Sequence, residues 1–423
     1  MKSKRLLTVA ATMFLSAQSL RAGDWPQYRG PSSDGTSAET VTWPAGGPKV
    51  LWRAPTPAGF SSFAVAGGKA FTLVTRDANG VPREMCVALD AATGKEAWAA
   101  DLEQAAYDRG GDSGTSDNKG GDGPRGTPAV SGNLVYATTA NLALFALDAG
   151  SGKVAWKKDL VKEHGGKNIM WRNAAAPIVE GDLVIVGGGG AGQSIVAFNK
   201  VSGAVVWKAF DEKITHATPA VATILGQRQV IFFTQKGLVA IAPADGKLLW
   251  RFSYPFSTSS AASPVVSGDI VYCSAGYGVG GGACRISKEG DAFKATKLWQ
   301  IQGDAKVANH WSTPVVKDGH LYGMFSFKKY GSGPMKCVDI ATGEIKWEQP
   351  GFGAGNVILA GDKLVALADT GELVVVSADP AGYKEVGRAK AVTGKCWSTP
   401  ALADGKVYVR STKEGACLDL GGK

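Results

Sequence analysis

Apolar residues along this chain come in short alternating runs separated by polar turns, and the runs repeat as a unit. Its fullest copy reads Gly126-Thr-Pro-Ala-Val-Ser-Gly-Asn-Leu-Val-Tyr, then Leu144-Phe-Ala-Leu-Asp148, then Ser151-Gly-Lys-Val-Ala-Trp156. Alternation with a period of two predicts strands, and the punctuation predicts hairpins, so the unit reads as four consecutive strands. Proline opens the first strand, where no ladder donor is needed, and Ser-Gly-Asn turns the chain back. In the third turn, Asp-x-x-Ser/Thr-Gly-Lys supplies an Asx-type turn whose glycine is free to take a positive φ. The closing tryptophan is placed to pack between neighbouring units.

Proline-led first strands occur at Pro128, Pro177, Pro219, Pro264, Pro314 and Pro400, while Ser62-Phe-Ala-Val and Gly355-Asn-Val-Ile open two further copies without proline. Closing tryptophans stand at Trp98, Trp156, Trp207, Trp250, Trp299 and Trp347. Their spacing of roughly fifty residues is that of a four-stranded propeller blade. Eight copies therefore predict an all-β, eight-bladed β-propeller. The seventh copy ends Tyr383-Lys-Glu-Val-Gly-Arg388 with no tryptophan, which predicts a weaker wedge there. The eighth stops at Cys417-Leu-Asp-Leu420, and its missing strand appears at the other end of the chain as Gly47-Pro-Lys-Val-Leu-Trp52. The N-terminal strand is thus expected to complete the last blade and remove the exposed sheet edges.

Ahead of the repeats, Lys2, Lys4 and Arg5 precede the apolar run Leu6 to Leu15, and Ala22 offers a small residue for cleavage. That is the pattern of a signal peptide over residues 1–22, leaving a single propeller domain over 23–423 and a periplasmic or secreted location. The run is too short to span a bilayer, and no cysteine near the cleavage point could carry a lipid anchor. Four of the positive charges behind the formal +9, at Lys2, Lys4, Arg5 and Arg21, belong to the leader, which leaves a mild excess of +5. The remaining lysines sit singly at turns. A nucleic-acid groove would cluster them with interleaved aromatics, so nucleic acid is set aside as a partner.

The segment Ala88-Leu-Asp-Ala-Ala-Thr-Gly-Lys-Glu-Ala-Trp98 resembles the tryptophan-docking motif of quinoprotein, or PQQ-repeat, propellers. Asp24-Trp-Pro-Gln-Tyr-Arg-Gly-Pro31 and Gly123-Pro-Arg-Gly-Thr-Pro128 are similar to segments of secreted bacterial PQQ-like repeat proteins. The resemblance implies the propeller fold but leaves function open. The family holds quinoprotein alcohol dehydrogenases as well as BamB, a non-catalytic subunit of outer-membrane β-barrel assembly, and folds host unrelated activities.

A pyrroloquinoline quinone (PQQ) clamped with Ca²⁺ requires several hard oxygen ligands, basic groups for its carboxylates and a carboxylate base. In the family's enzymes a vicinal disulfide also covers the ring, and no adjacent Cys-Cys occurs here. Residues just before each first strand should converge on the axis of the ring. They are Arg125; Trp171, Arg172 and Asn173; His216; Ser260; Asn309, His310 and Trp311; Asn356; and Lys395, Cys396 and Trp397. That collar is aromatic and basic and contains no Asp or Glu. Trp311 and Trp397 have a packing reading beside a ligand-binding one. His216 and His310 lack a nucleophile or carboxylate at a recognisable spacing, whereas Arg125 and Arg172 are placed to fork onto a carboxylate.

Other motifs carry less. Asp112-Ser-Gly-Thr-Ser-Asp-Asn-Lys-Gly-Gly-Asp122 departs from the spacing of a calcium loop and reads as a rim loop. Gly187-Gly-Gly-Gly-Ala-Gly192 is followed by the strand Ser194-Ile-Val-Ala-Phe198, not by the helix that a nucleotide fingerprint needs. Of six cysteines, Cys86, Cys337 and Cys417 occupy strand positions suited to small core residues, while Cys273 and Cys284 flank one hairpin and could meet across it. No Cys/His pattern supports haem or structural zinc. The expectation is a non-catalytic scaffold that binds a protein or polymer of the cell envelope and needs no cofactor. The alternative is a divergent quinoprotein alcohol dehydrogenase using PQQ with calcium.

Overall fold

The computed structural model describes residues 23–105, 107, 123–258, 260–325 and 329–422. The proposed leader and the Asp112–Asp122 segment lie outside the described residues. Eight antiparallel sheets of four strands follow one another around a ring: blade 1 (Ala64 to Gln104), blade 2 (Ala129 to Asp159), blade 3 (Ile178 to Ala209), blade 4 (Ala220 to Ser253), blade 5 (Val265 to Ile301), blade 6 (Val315 to Gln349), blade 7 (Asn356 to Lys390) and blade 8 (Ala401 to Asp419). Blade 8 takes its outer strand, Lys49–Pro55, from the N-terminus, paired antiparallel to Glu414–Asp419. The expected closure is what the structure shows.

The threonine of Thr-Pro, which heads four of the eight inner strands, has a reason the repeat alone does not state. The residue before the strand offers a side-chain oxygen to a backbone N–H of the preceding blade. Thr127 accepts from Ser62, Thr218 from Ala176 and Thr313 from Ser263, at 3.1, 2.9 and 3.0 Å. Where no such threonine exists, Asn356 accepts from Thr313 and Ser62 accepts from Thr399, the latter contact sealing blade 8 to blade 1.

The tryptophan and the glycine of the turn motif form one device. The indole Nε1–H of Trp52, Trp98, Trp156, Trp207, Trp299 and Trp347 donates to a carbonyl in the third turn of the next blade. In five of these six turns, all but the one that receives Trp347, the glycine lies on the ring. Gly94 has a φ of +72°, and a Cβ on it would sit 2.6 Å from Trp52. Trp250 is the exception and donates to Gln229 of its own blade, because blade 5 turns through Ser287-Lys-Glu-Gly290 and lacks the motif.

The weak wedge expected after blade 7 is not there. Gly387 pairs with Val375 at the register point where Trp347 pairs with Cys337 in blade 6, so glycine stands in the tryptophan slot. The space is filled by Trp43, from the N-terminal segment: a Cβ on Gly387 would lie 2.2 Å from its ring. Trp43 packs on the cluster holding Leu420 and Val375, and the adjacent Thr42 bonds Leu420. Trp43→Ala should therefore cost about 2–4 kcal/mol of stability in a urea titration, a little less than emptying a fully buried aromatic site because Trp43 is only partly buried. Gly387→Ala should destabilise as well, through clash, although Gly→Ala in a strand is ordinarily neutral or better.

Residues ahead of Trp43 cross the axis. Trp25 forms a bridge with Val65 on the inner strand of blade 1, and Pro26 accepts from Val130 of blade 2. On the far side, Arg29 donates to Thr313 and Pro314 of blade 6 at 3.0 and 2.9 Å. Thr36–Ser37 adds a parallel fifth strand to the inner edge of blade 7, opposite Leu359 and Ala360. Blades 2 and 6 face each other across an eight-membered ring, so residues 25–37 span the channel at the end away from the collar.

All six cysteines are free and buried. Cys273 pairs with Gly282 and Cys284 with Val271, so the two are diagonal neighbours on one core-facing side. No bridge forms across that hairpin. No helix among the described residues is long and apolar enough to cross a membrane.

Candidate functional site

The connectors that lead into the inner strands bring the predicted residues together at the collar end, in an order set by the blades. Trp311 and Trp397, from blades 6 and 8, stack at 4.4 Å with an interplanar angle of 10°. Phe60, from the connector into blade 1, stacks on the other side of Trp397 at 4.9 Å. The chain of rings continues from Trp311 to His310 at 5.2 Å, to Tyr277 at 5.1 Å, and to Trp171 at 6.5 Å and 13°. His216 lies 6.3 Å from Trp171. Arg125 closes the circle, donating to the Trp171 carbonyl at 3.0 Å with its guanidinium 5.9 Å from the Phe60 ring centre. The collar is thus a belt of aromatic, imidazole and cationic groups around the axis.

Backbone strain marks the belt. Trp171, Arg172 and Tyr277 all hold φ near +60°, a region costly for side chains of this size. Tyr277 is 40% exposed and is the most accessible ring of the belt. Lys395 is buried, with its ammonium 4.9 Å from the Trp397 ring centre, a cation–π placement favoured where water is excluded.

The amide residues of the predicted set serve the scaffold. Asn173 donates to Ala175 and accepts from its N–H, shaping its own turn. Asn309 donates to Met324 and accepts the Tyr272 hydroxyl at 2.6 Å. Asn356 ties blade 6 to blade 8 by donating to the Trp397 carbonyl at 2.8 Å, and Ser260 donates to Ser274. Cys396 is buried beneath the belt, where desolvation pushes its thiol well above the usual range.

Neither histidine is poised for proton transfer. Burial, helped by the nearby Arg125 charge, lowers the His216 imidazolium to about 4, so the ring is neutral across the physiological range. His310 Nδ1 accepts the Gly276 N–H at 3.2 Å, which fixes that nitrogen as the unprotonated one.

Two buried carboxylates lie behind the belt, where the list of connector residues held none. Glu84, in the third strand of blade 1, accepts the Tyr107 hydroxyl at 2.8 Å and the Ala140 N–H at 3.1 Å. Burial raises it to about 7 against those donors and Arg125. Asp369, in the second connection of blade 7, accepts the N–H groups of Ala354 and Gly331 at 2.8 and 3.0 Å, and its own carbonyl accepts from Cys396. Burial lifts it to about 6 against those bonds and the Lys395 charge. Glu84 lies within a third strand, and Asp369, like Tyr277, lies in a connection between second and third strands, so none of them precedes a first strand. Phe60 sits in a searched connector but lacks the proline that flags the others.

A folded-state pKa above the unfolded value means the native protein binds the proton more tightly. Glu84 thus favours folding below about pH 5, and that advantage is lost as pH rises through 7, by roughly 3 kcal/mol at most. Stability should decline between pH 5 and 8, and Glu84→Gln should flatten that slope whatever it does to absolute stability. Urea midpoints across the interval read the difference.

Calcium-clamped PQQ fits this donor set poorly. Glu84 and Asp369 belong to different blades, and each already accepts two bonds. Among the described residues no three His, Cys, Asp or Glu side chains come together as a metal site. Trp311 and Trp397 lie against each other, leaving no slot for a planar ring between them.

Comparison with known proteins gives the architecture its relatives. The chain is 25% identical over 242 residues to tetrathionate hydrolase of Acidithiobacillus ferrooxidans, covering 57% of this chain and 40% of that protein. It is 24% identical over 264 residues to outer membrane protein assembly factor BamB of Yersinia pestis, covering 59% and 62%. It spans less than two thirds of the length of either relative. Among solved structures, quinohemoprotein alcohol dehydrogenase from Comamonas testosteroni superposes with a TM-score of 0.65 at 14% identity, over 97% of this chain and 82% of that one. BamB from Moraxella catarrhalis superposes at 0.59 and 16% identity, over 88% and 97%. At such identities these likenesses speak for the fold alone. The profile of the outer membrane protein assembly factor BamB family matches residues 82–349, well over half of the chain, and with its eight repeated blades the protein belongs to that PQQ-repeat family.

Proposed function

We propose that this protein is a non-catalytic scaffold of the cell envelope that engages a protein partner through its collar face. The observation that carries the reading is the state of the axis, where a propeller enzyme would keep its reactive ligand. One end is crossed by the protein's own N-terminal segment, and the other is filled by rings stacked on one another. What the collar offers outward is Tyr277 and Met170, 40% and 55% exposed, beside Trp171 and Arg125. Exposed aromatic and arginine side chains set in a polar rim are the composition of protein-binding hot spots. The envelope location rests on the basic and apolar leader pattern and on the BamB relatives.

A photo-crosslinking residue placed at Tyr277 or Met170 in the native host tests this directly. A discrete crosslinked protein species should form from the collar positions and not from Val154, an equally exposed valine on the outer strand of blade 2. Labelling no stronger at the collar than at Val154 would sink the proposal.

A further inference from the structure

In a radial blade both faces of the sheet are covered by neighbouring blades. Only the innermost strand turns an edge to the axis, and that edge is a row of N–H and C=O groups that require partners. The segment 25–37 supplies them to blades 1, 2 and 7, and reaches blade 6 through Arg29. It leaves the far side of the channel bare. Among the described residues, the inner strands of blades 4 and 5, Ala220–Ile224 and Val265–Ser267, are ladder-bonded on their outer side alone. A cavity of 290 Å³ lies against these edges, walled by Arg29 and Ser33 of the crossing segment and by Ala222, Val265 and Val316 of the ring.

We propose that this cavity is a strand-addition site for an extended, uncharged segment of small residues in a partner protein, paired through its main chain to Ala220–Ile224. Two observations select that occupant. The groove continues an interface the chain already makes, since the residues walling it belong to the segment whose Thr36–Ser37 adds in parallel to the equivalent strand of blade 7. The protein therefore displays the binding mode in its own ring. The charged groups at the cavity are already engaged: Arg228 forks onto Glu180 at 2.8 Å, Arg29 is held by carbonyls, and Asp34 accepts the N–H and hydroxyl of Thr36. Recognition is left to main-chain pairing and to the half-buried valines.

The site lies at the opposite end of the channel from the collar and does not depend on the scaffold reading. Its probe is the capped tetrapeptide Gly-Thr-Ser-Ala, the sequence of residues 35–38, added to the full-length protein at millimolar concentration. We expect saturable binding with slowed amide exchange in Ala220–Ile224. At least tenfold weaker binding is expected for the same peptide N-methylated at alternate residues, which keeps the side chains and removes main-chain donors. Ala222→Trp, which fills the cavity, should abolish binding, while Tyr277→Ala at the other end leaves it unchanged. Absence of saturable binding by the plain peptide, equal binding of the methylated one, or exchange slowed elsewhere would each overturn the proposal, and none requires the Ala222→Trp variant to fold.

Discussion

Replacing Arg410 by methionine should cost about 4 kcal/mol of stability, because its guanidinium is buried and fastens the seam where the ring closes. Arg410 ends the second strand of blade 8. It donates to the hydroxyl of Thr72 at 2.7 Å and the carbonyl of Leu73 at 2.6 Å in blade 1, and to the carbonyls of Thr56 and Ala58 beyond the outer strand of blade 8. Among the described residues no carboxylate is one of its partners. Burial alone pulls the group down to about 9, yet it still supplies donors to carbonyls that water does not reach. Methionine keeps the apolar stem and removes every donor, so those carbonyls would be left buried and unpaired. Arg228→Met is the control, since that side chain is 45% exposed and its pair with Glu180 contributes at most about 1 kcal/mol. A urea titration in which the two variants lose the same stability would show that the seam is not held as described.

Arg29→Ala should release the crossing segment from blade 6 and weaken the protein by about 3 kcal/mol. Arg29 is buried, takes a φ of +62°, and binds the carbonyls of Thr313, Pro314 and Asp34. Without it the bonds of the segment to blades 1 and 2 on one side and to blade 7 on the other lose their anchor in the middle and should open far more often. Hydrogen exchange distinguishes local release from general destabilisation. The amides of Val65, Val130 and Leu359, which donate to Trp25, Pro26 and Gly35, should exchange much faster in the variant, while those in the outer blades change little. Unchanged protection at those three amides would mean that the segment is held by something other than Arg29.

These two arginines show where sequence reading stops. The blade count, the Thr-Pro connectors, the docking tryptophans and the N-terminal strand that finishes blade 8 were legible because each is a local pattern repeated many times. Whatever occurs once was not. Arg410 sits in an ordinary strand, and its importance comes from the meeting of first and last blades. Trp43 lies outside every repeat, so its fit over Gly387 turns an expected weak wedge into a filled one. Asp24-Trp-Pro-Gln-Tyr-Arg-Gly-Pro31 stood out as a motif, but its path across the channel depends on contacts with blades distant in sequence.

The collar divides in the same way. Trp171, His216, His310, Trp311 and Trp397 were traceable because each precedes an inner strand, and they meet as that position implies, whereas Tyr277 enters from a second connection and Phe60 from a connector without proline. Asn173 and Asn356 occupy the same connectors yet shape turns and tie blades. Glu84 enters from a third strand and Asp369 from a second connection, where a single buried carboxylate leaves no periodic trace. They add little towards a quinone site, because they stand in different blades and each already accepts two bonds from groups of its own or an adjacent blade.

The central claim, a family member whose collar is filled by its own rings and whose role is binding, is tested most directly by adding PQQ and Ca²⁺ to the purified protein. Visible absorbance, the thermal midpoint and alcohol-dependent dye reduction are then followed together. The account predicts no saturable uptake, no shift of the midpoint and no dye reduction. Tight uptake of the quinone with turnover of an alcohol would contradict it.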